Sequence, residues 1–86
     1  MPKEYKIERI ALIPNVLADS IIQIWFRNSI NEIEFGEDRM SLDEILEKYQ
    51  IKIETIDVSD WSDLKGRKCH VDISWESKIE NFNFIS

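Results

Sequence analysis

Three residues near the end of the chain, His70, Asp72 and Ser74, have the side-chain types of a hydrolase triad. Their alternate spacing puts them on one face of a strand, so a base, an orienting acid and a nucleophile lie near one another. Triad members normally come from separate elements, and no nucleophile elbow or glycine-rich oxyanion loop accompanies these residues. Alternating polar residues are ordinary on a solvated strand face. We therefore predict that the protein is not an enzyme.

Metal binding has equally little support. Cys69 and His70 are adjacent, so their side chains leave opposite faces of a strand, and the chain contains no second Cys or His. The acidic residues lack the loop pattern that spaces oxygen ligands around Ca²⁺. We expect no metal and no cofactor, and we expect Cys69 to be a small core residue.

The charge is concentrated in the middle third of the chain. Residues 32–63 carry eleven acidic and three basic residues, whereas residues 1–31 and 64–86 each carry three acidic and four basic residues. Such an uneven distribution produces a one-sided field, which attracts a partner of opposite sign. The alternative is a solvated acidic face that only keeps the protein soluble.

We predict a partner-binding surface in this acidic segment. Its first five residues, from Glu37 to Glu47 in the list below, would form one carboxylate cluster across the start of a helix. Such a cluster would imitate nucleic-acid phosphates or dock on a basic protein. Trp61 lies between two aspartates, a composition typical of interface hot spots; the alternative is a ring that covers the sheet edge, since Trp is highly buried on average. The predicted surface consists of Glu37, Asp38, Asp43, Glu44, Glu47, Asp60, Trp61 and Asp63.

Length and composition indicate a single domain spanning residues 1–86. The chain is 43% hydrophobic and has only two Gly and two Pro, which favours a folded domain made mostly of regular elements. No signal peptide or membrane span is evident, and the single cysteine excludes an internal disulfide, so we expect a cytoplasmic protein. A pI of about 4.7 argues against direct binding of nucleic acid or of an anionic membrane.

The clearest predicted element is a helix at about residues 41–50. Ser41 and Glu44 form a capping box, and Leu42, Ile45, Leu46 and Tyr49 follow the i, i+3, i+4, i+7 spacing of a buried stripe. The acidic residues of this helix then point away from the core.

Three strands are predicted after the helix. The first spans residues 51–58 and is followed by a loop at 59–68. The second contains Cys69, Val71, Ile73 and Trp75 on one face. The third follows a turn near Ser77 and places Phe82 and Phe84 on a shared face.

The first forty residues are harder to assign. Residues 5–13 resemble a strand that ends at Pro14. Residues 15–30 fit a helix nearly as well as a strand; we favour a strand at 20–27, because Ile, Trp and Phe crowd a helix, followed by another strand at about 30–35. The predicted fold class is α+β, a small antiparallel sheet of four to six strands with one helix packed on it.

One stretch resembles a known family. Residues 49–57, Tyr-Gln-Ile-Lys-Ile-Glu-Thr-Ile-Asp, and the following Trp61 resemble a strand signature of bacterial immunity proteins that accompany polymorphic toxins. That signature reads approximately Tyr-Gly-Ile-Lys-Ile-Glu-Thr-Leu-Asp with a Trp shortly after, so Gln50 replaces its Gly. The resemblance implies a small cytosolic antidote that binds and blocks a toxin.

The function expected from these observations is that of an acidic, non-enzymatic protein that inhibits a basic partner. The favoured version is an immunity protein against a nuclease-type toxin, and a phage-type nucleic-acid mimic that inhibits a host defence enzyme would use the same physics. A second class is a structural or assembly subunit. In that case Ile21 and Trp25 would be buried against another protein chain. That chain is either a larger protein or a second copy, and the second copy would make a homo-oligomer.

Overall fold

The structure is a computed structural model that describes residues 2–52 and 63–85. The described elements are β1 (Lys3–Ile13), β2 (Ser20–Arg27), β3 (Ile33–Met40), α1 (Leu42–Lys48), β4 (Lys68–Ile73) and β5 (Ile79–Phe84). They form one five-stranded antiparallel sheet and one short helix. The fold is therefore compatible with the predicted α+β class, although strands dominate it.

The sheet curls until its two edges touch. Its strand order is β3-β2-β1-β4-β5, and all neighbouring strands are antiparallel. A parallel bridge joins Glu37 of β3 to Lys78, the residue before β5, and the Glu37 N–H donates to the Ser77 carbonyl at 2.7 Å. This connectivity, with the helix between β3 and β4, is that of a five-stranded, partly open Greek-key barrel, the architecture of the OB-fold. The architecture alone does not identify a function.

A bulge in β1 allows this curvature. The register of β1 against β2 shifts between Ile7 and Arg9. The first part of β1, residues 3–6, pairs with β4, and the part from Lys6 to Ile13 pairs with β2. Because a bulge bends its strand and increases the local twist, β1 can belong to both halves of the barrel.

The core lies inside the curled sheet and is closed at one end by α1. Alternate residues of β2 are buried, which is the pattern of a strand with one face on the core. From α1, Ile45 and Tyr49 enter this core, where the Tyr49 ring lies 4.7 Å from the Phe82 ring. Further buried side chains are Tyr5, Ile7, Ile10, Leu12, Ile22, Ile24, Phe26, Leu64, Cys69, Val71 and Ile79.

The helix α1 spans Leu42–Lys48, within the predicted range of about 41–50, and the predicted capping box is present at its start. Ser41 is the N-cap, and its hydroxyl accepts the Glu44 N–H at 3.3 Å and donates to the Glu44 carboxylate at 3.0 Å. At the other end the Ile51 N–H donates to the Leu46 carbonyl at 2.9 Å and the Gln50 N–H to the Glu47 carbonyl at 3.3 Å. This is a Schellman arrangement, and Gln50 occupies its left-handed position with φ of 55°.

Some predicted boundaries in the first half of the chain agree with the structure and others do not. Residues 20–27 form β2, so the strand assignment of this segment is confirmed over the helical one. The strand predicted at 30–35 is wrong in its limits, because β3 spans Ile33–Met40. The Asn28 side-chain oxygen accepts the N–H groups of Ile30 and Glu32, and Asn31 has a φ of 63°, so the connecting loop is wider than expected.

The second half of the chain requires another correction. Trp75 does not belong to a strand, because β4 ends at Ile73 and Trp75 lies in the following turn with 91% of its surface exposed. The Ser74 N–H donates to the Lys78 carbonyl at 2.9 Å, which closes that turn before Trp75 can reach the core face. Of the strand predicted at 51–58, residues 53–58 lie outside the described residues, and the described Ile51 and Lys52 are not in a strand. Phe82 and Phe84 share a face as predicted, with ring centroids 4.9 Å apart.

Candidate interaction surfaces

The exposed side of α1 carries three of the predicted acidic residues. Asp43, Glu44 and Glu47 are all exposed, while Ile45 and Tyr49 on the other side of the helix are buried. We call these three residues the acidic helix surface. The amphipathic spacing of the helix predicted this separation of charge from core.

Asp38 belongs to the internal framework of the protein. In the β2–β3 register it lies opposite Ile22, which is fully buried, so its side chain is on the core side of β3. Its carboxylate accepts the Tyr49 hydroxyl at 2.7 Å and the Lys48 ammonium at 2.8 Å. Burial, together with this carboxylate, raises the pKa of Tyr49 well above its ordinary value. Asp38 thus attaches α1 to β3.

Glu37 lies on the opposite face of the sheet from Asp38. Consecutive strand residues point to opposite faces, and Glu37 pairs across the register with Gln23, whose side-chain amide donates to the Glu37 carboxylate at 3.1 Å. The structure therefore does not bring Glu37 together with the acidic helix surface. The strand alternation of β3 could have shown this, had the strand been predicted to extend to residue 40.

The remaining residues of the predicted surface follow the helix. Asp60 and Trp61 lie outside the described residues. Asp63 is exposed at the start of the turn at residues 63–66, which leads to β4.

Of the three residues considered as a triad, Asp72 and Ser74 make hydrogen bonds within the β4–β5 hairpin. Asp72 accepts the Asn81 side-chain amide at 3.1 Å, and the Ser74 hydroxyl accepts the Lys78 N–H at 3.1 Å. His70 is exposed and pairs across the register with Asn83. These contacts hold β4 and β5 together.

Cys69 is a core residue, as its sequence context predicts. Its side chain is fully buried, whereas the adjacent His70 is exposed, so the two leave opposite faces of β4. Burial raises the pKa of the Cys69 thiol to about 12. Residues 2–52 and 63–85 include no group of three or more His, Cys, Asp or Glu side chains that could hold a metal ion.

A second surface lies on the outside of the barrel, across β1, β2 and β3. We call it the outer face, and it consists of the side chains that point away from the core on these three strands. Three cross-strand rows define it: Arg9 beside Trp25 and Phe35, Ala11 beside Gln23 and Glu37, and Ile13 beside Ile21 and Arg39. Ile33 and Arg27 extend it at one end. Ile21 and Trp25 were expected to need a cover, and the structure leaves both partly exposed.

The aromatic residues of the outer face form a stacked group. The Arg9 guanidinium lies 5.0 Å from the centre of the Trp25 ring, and the Trp25 and Phe35 rings are 5.2 Å apart. A guanidinium over an indole is a favourable cation–π contact. Sequence reasoning missed Arg9 and Phe35 because their proximity depends on the register of three strands.

Loops at the ends of these strands expose further apolar side chains. Val16 and Leu17, in the connection between β1 and β2, are 87% and 93% exposed. Trp75 lies in the β4–β5 turn, whose Ser77 carbonyl accepts the Glu37 N–H of β3. An exposed tryptophan thus adjoins the barrel seam, in a turn that begins earlier than the turn predicted near Ser77.

The comparisons leave the chain without a family assignment. Among the described residues, no helix is long and apolar enough to cross a membrane. A scan of protein-family models, a search of curated proteins and a search of solved structures each returned no match to this chain.

Proposed function

We propose that this protein is an acidic, non-enzymatic binding protein that inhibits a basic partner. The observation that carries the proposal is the exposure of Asp43, Glu44 and Glu47 on one helix in a protein of net charge −6. Negative potential concentrated on one rigid element steers a basic partner and accelerates its association.

The helix is well suited to this role because it is fixed to the barrel. Tyr49 enters the core and is bonded to Asp38, and the Ser41 cap and the Schellman turn define both helix ends. A surface that is ordered before binding loses little conformational entropy when the partner arrives. Three carboxylates held in this way can replace the phosphates of a nucleic acid in a basic cleft.

The favoured partner is a nuclease-type toxin, which would make this chain its immunity protein. Such a toxin needs a basic cleft to bind nucleic acid, and an acidic helix that occupies the cleft excludes the substrate. The resemblance of residues 49–61 to an immunity-protein signature favours this version. A phage-type mimic of nucleic acid that blocks a host defence enzyme would present the same surface.

The residues assigned to this interface change with the geometry. Asp43, Glu44 and Glu47 remain as the electrostatic contacts, and Asp60, Trp61 and Asp63 remain as contacts proposed from the sequence. Glu37 faces the other side of the sheet and Asp38 is occupied by Lys48 and Tyr49, so we no longer assign partner contacts to these two.

The proposal is tested by affinity capture from the source cell at low salt, followed by an activity assay of the captured protein. We expect a basic nucleic-acid enzyme that is released as salt is raised and is inhibited stoichiometrically by this chain. A captured partner that is acidic, or an enzyme that retains full activity when bound, would reject it. The full chain carrying Glu4→Lys and Glu32→Lys is the matched control, because both residues are exposed near the Arg27–Ile33 end of the sheet, whereas α1 follows Met40 at the other end of β3.

A second candidate function is that of an assembly subunit. The observation that favours it is the partly exposed apolar outer face, with Ile21, Trp25 and Phe35 on adjacent strands. Sedimentation at low and high salt separates the two classes. A subunit associates through apolar contacts that salt does not weaken. An acidic inhibitor loses affinity for its basic partner as the salt concentration rises.

A further inference from the structure

The outer face combines apolar side chains with two arginines, Arg9 and Arg39, that form no ion pair with a carboxylate of the described residues. Arg9 contacts the Trp25 ring, and the exposed Arg39 makes no side-chain ion pair with another described residue. Arg27 differs, because it is paired with Glu8 at 3.2 Å. In a protein of net charge −6, the outer face is therefore locally basic.

This composition is that of a protein interface. Tryptophan and arginine are the residues most enriched at interface hot spots, and here they are in direct contact. Around them lie Ile13 and Ile33, which are 49% and 45% exposed. Aliphatic side chains in this position gain from contact with apolar side chains of another protein.

The dimensions of the outer face fit one helix. Eight residues of β2 span about 26 Å, and the outer two of three adjacent strands lie about 10 Å apart. An α-helix with side chains is about 10 Å wide, and about 17 residues of helix cover 26 Å. An amphipathic helix can thus cover the apolar rows and extend side chains to both flanks.

We propose that the outer face of β1, β2 and β3 docks an acidic amphipathic helix of a partner protein. The apolar stripe of that helix covers Ile21, Trp25 and Phe35, and its flanking Asp or Glu side chains pair with Arg9 and Arg39. The inference goes beyond the inhibitor proposal and does not depend on it, because it uses the opposite charge on a different surface.

Two other occupants fit the charges less well. A face-to-face dimer would place Arg9 and Arg39 of one outer face against the same two residues of a second copy, with one Glu37 on each side to oppose them. A single-stranded nucleic acid, the ligand that barrels of this architecture often bind on the β2–β3 face, carries a charge on every nucleotide. It would meet the Glu37 carboxylate, whereas a peptide helix can place a neutral residue there.

The test is a selection of displayed random 18-residue peptides on the immobilised full chain. We expect enriched peptides with apolar residues at helical spacing and acidic residues beside them. In fluorescence anisotropy with a synthesised peptide, Arg9→Glu/Arg39→Glu should raise Kd at least about tenfold, because each opposed charge pair is lost and reversed. The control Lys3→Glu/Lys68→Glu, a double reversal of equal charge at exposed residues of β1 and β4, should leave Kd unchanged.

Further variants separate this inference from the inhibitor proposal. Asp43→Lys/Glu47→Lys should keep peptide binding, since the acidic helix surface is not used. The inference is overturned by the absence of enriched peptides, by basic ones, or by binding that Arg9→Glu/Arg39→Glu does not weaken. It is also overturned if a twelve-residue oligothymidylate binds through the two arginines, or if the chain forms a dimer that Arg9→Glu/Arg39→Glu dissociates. Thermal melting confirms beforehand that each variant is folded.

Discussion

Asp38 connects the only described helix to the barrel. One carboxylate oxygen of Asp38 receives both the Tyr49 hydroxyl and the Lys48 ammonium, at 2.7 and 2.8 Å. The two bonds differ in their surroundings, because Tyr49 is buried and Lys48 is exposed. A hydrogen bond shielded from water contributes more than an ion pair at the surface.

Tyr49→Phe should therefore destabilise the protein more than Lys48→Gln. We expect Tyr49→Phe to lower the free energy of unfolding by about 1–2 kcal/mol, since it removes a hydrogen bond to a charged group but keeps the ring in the core. Lys48→Gln should cost no more than about 0.5 kcal/mol, the value typical of an exposed pair. Urea denaturation monitored by circular dichroism measures both, and equal losses would contradict the assigned role of the tyrosine.

Cys69 should resist chemical modification while the protein is folded. Its side chain is fully buried, and burial raises the pKa of its thiol from 9.0 to about 12. At pH 8 we expect iodoacetamide to leave Cys69 unlabelled in the folded protein. When denaturant is added, Cys69 should be labelled at the rate at which the whole protein unfolds. Rapid labelling without denaturant would show that β4 opens locally.

The same shift makes stability depend on alkaline pH. The stabilising contribution of the protonated thiol is complete below pH 9, and it is lost as the pH rises towards 12, because the unfolded chain releases its proton first. Tyr5 acts in the same direction, since burial and then the Glu34 carboxylate raise its pKa from 10.0 to about 12.

Among single residues, the sequence predicted environment better than contact. Core residues such as Ile45 and Cys69 follow from spacing and hydrophobicity. The separation of Glu37 from Asp38 depends on strand alternation in a segment whose end was placed too early. The contact between Arg9 and Trp25 depends on a bulge at Glu8, which no local pattern indicates.

At the scale of elements, the seven-residue helix depends strongly on its caps. Short helices have little stability of their own, so packing and end contacts decide whether they form. Gln50 is the weak point of the C-terminal cap, because a side chain in the left-handed region is strained and glycine is preferred there.

Gln50→Gly should consequently stabilise the protein relative to Gln50→Ala. Both substitutions remove the hydrogen bond from the Arg67 guanidinium to the Gln50 side chain, at 3.1 Å. Only glycine also removes the left-handed strain, which costs about 1 kcal/mol. Guanidinium denaturation of the two variants should differ by roughly that amount. A glycine variant no more stable than the alanine variant would argue against the Schellman geometry.

Gly36 permits β3 to approach β5 where the barrel closes. A Cβ atom at Gly36 would lie 2.7 Å from Ile79 Cγ1 and 3.3 Å from Phe26 Cε2. Both neighbours are buried, so neither side chain can move away at low cost. The bridge that joins β3 to Lys78, the residue before β5, lies at the next residue, Glu37.

Gly36→Ala should therefore destabilise the protein by about 1–3 kcal/mol through overpacking. If the clash with Ile79 is the cause, Gly36→Ala and Ile79→Ala should be non-additive, with the double variant more stable than the sum of the two losses implies. Thermal and urea denaturation of the four proteins in this cycle provide the measurement. Full additivity would place the strain elsewhere.

The elements themselves were partly predictable. The Ser41 cap, the helical stripe and the alternation in β2 are local signals, and all three correspond to the structure. Two strand limits do not follow from local signals. The position of β3, which extends to Met40, depends on the loop that the Asn28 side chain caps. The end of β4 before Trp75 depends on the closure of the β4–β5 turn.

For the molecule as a whole, the structure separates two surfaces of opposite character. The acidic helix surface lies beyond the end of the core, whereas the outer face, with its arginines and apolar rows, is on the outside of the sheet. The net charge of −6 describes neither surface, because the chain also has a locally basic region on the outer face. Helical spacing predicted that Asp43, Glu44 and Glu47 point away from the core, and only the strand register reveals the full extent of the outer face.

The central claim is that the acidic helix surface engages a basic partner. Its most direct test is the stopped-flow association rate of the captured partner with the wild-type chain and with Asp43→Lys/Glu47→Lys, at two salt concentrations. These two positions are chosen because Glu44 also bonds to the Ser41 cap. We predict a rate that falls at least about tenfold on charge reversal and falls steeply with salt for the wild type only, with a smaller change in dissociation. An association rate that is the same for both proteins at both salt concentrations would contradict the account.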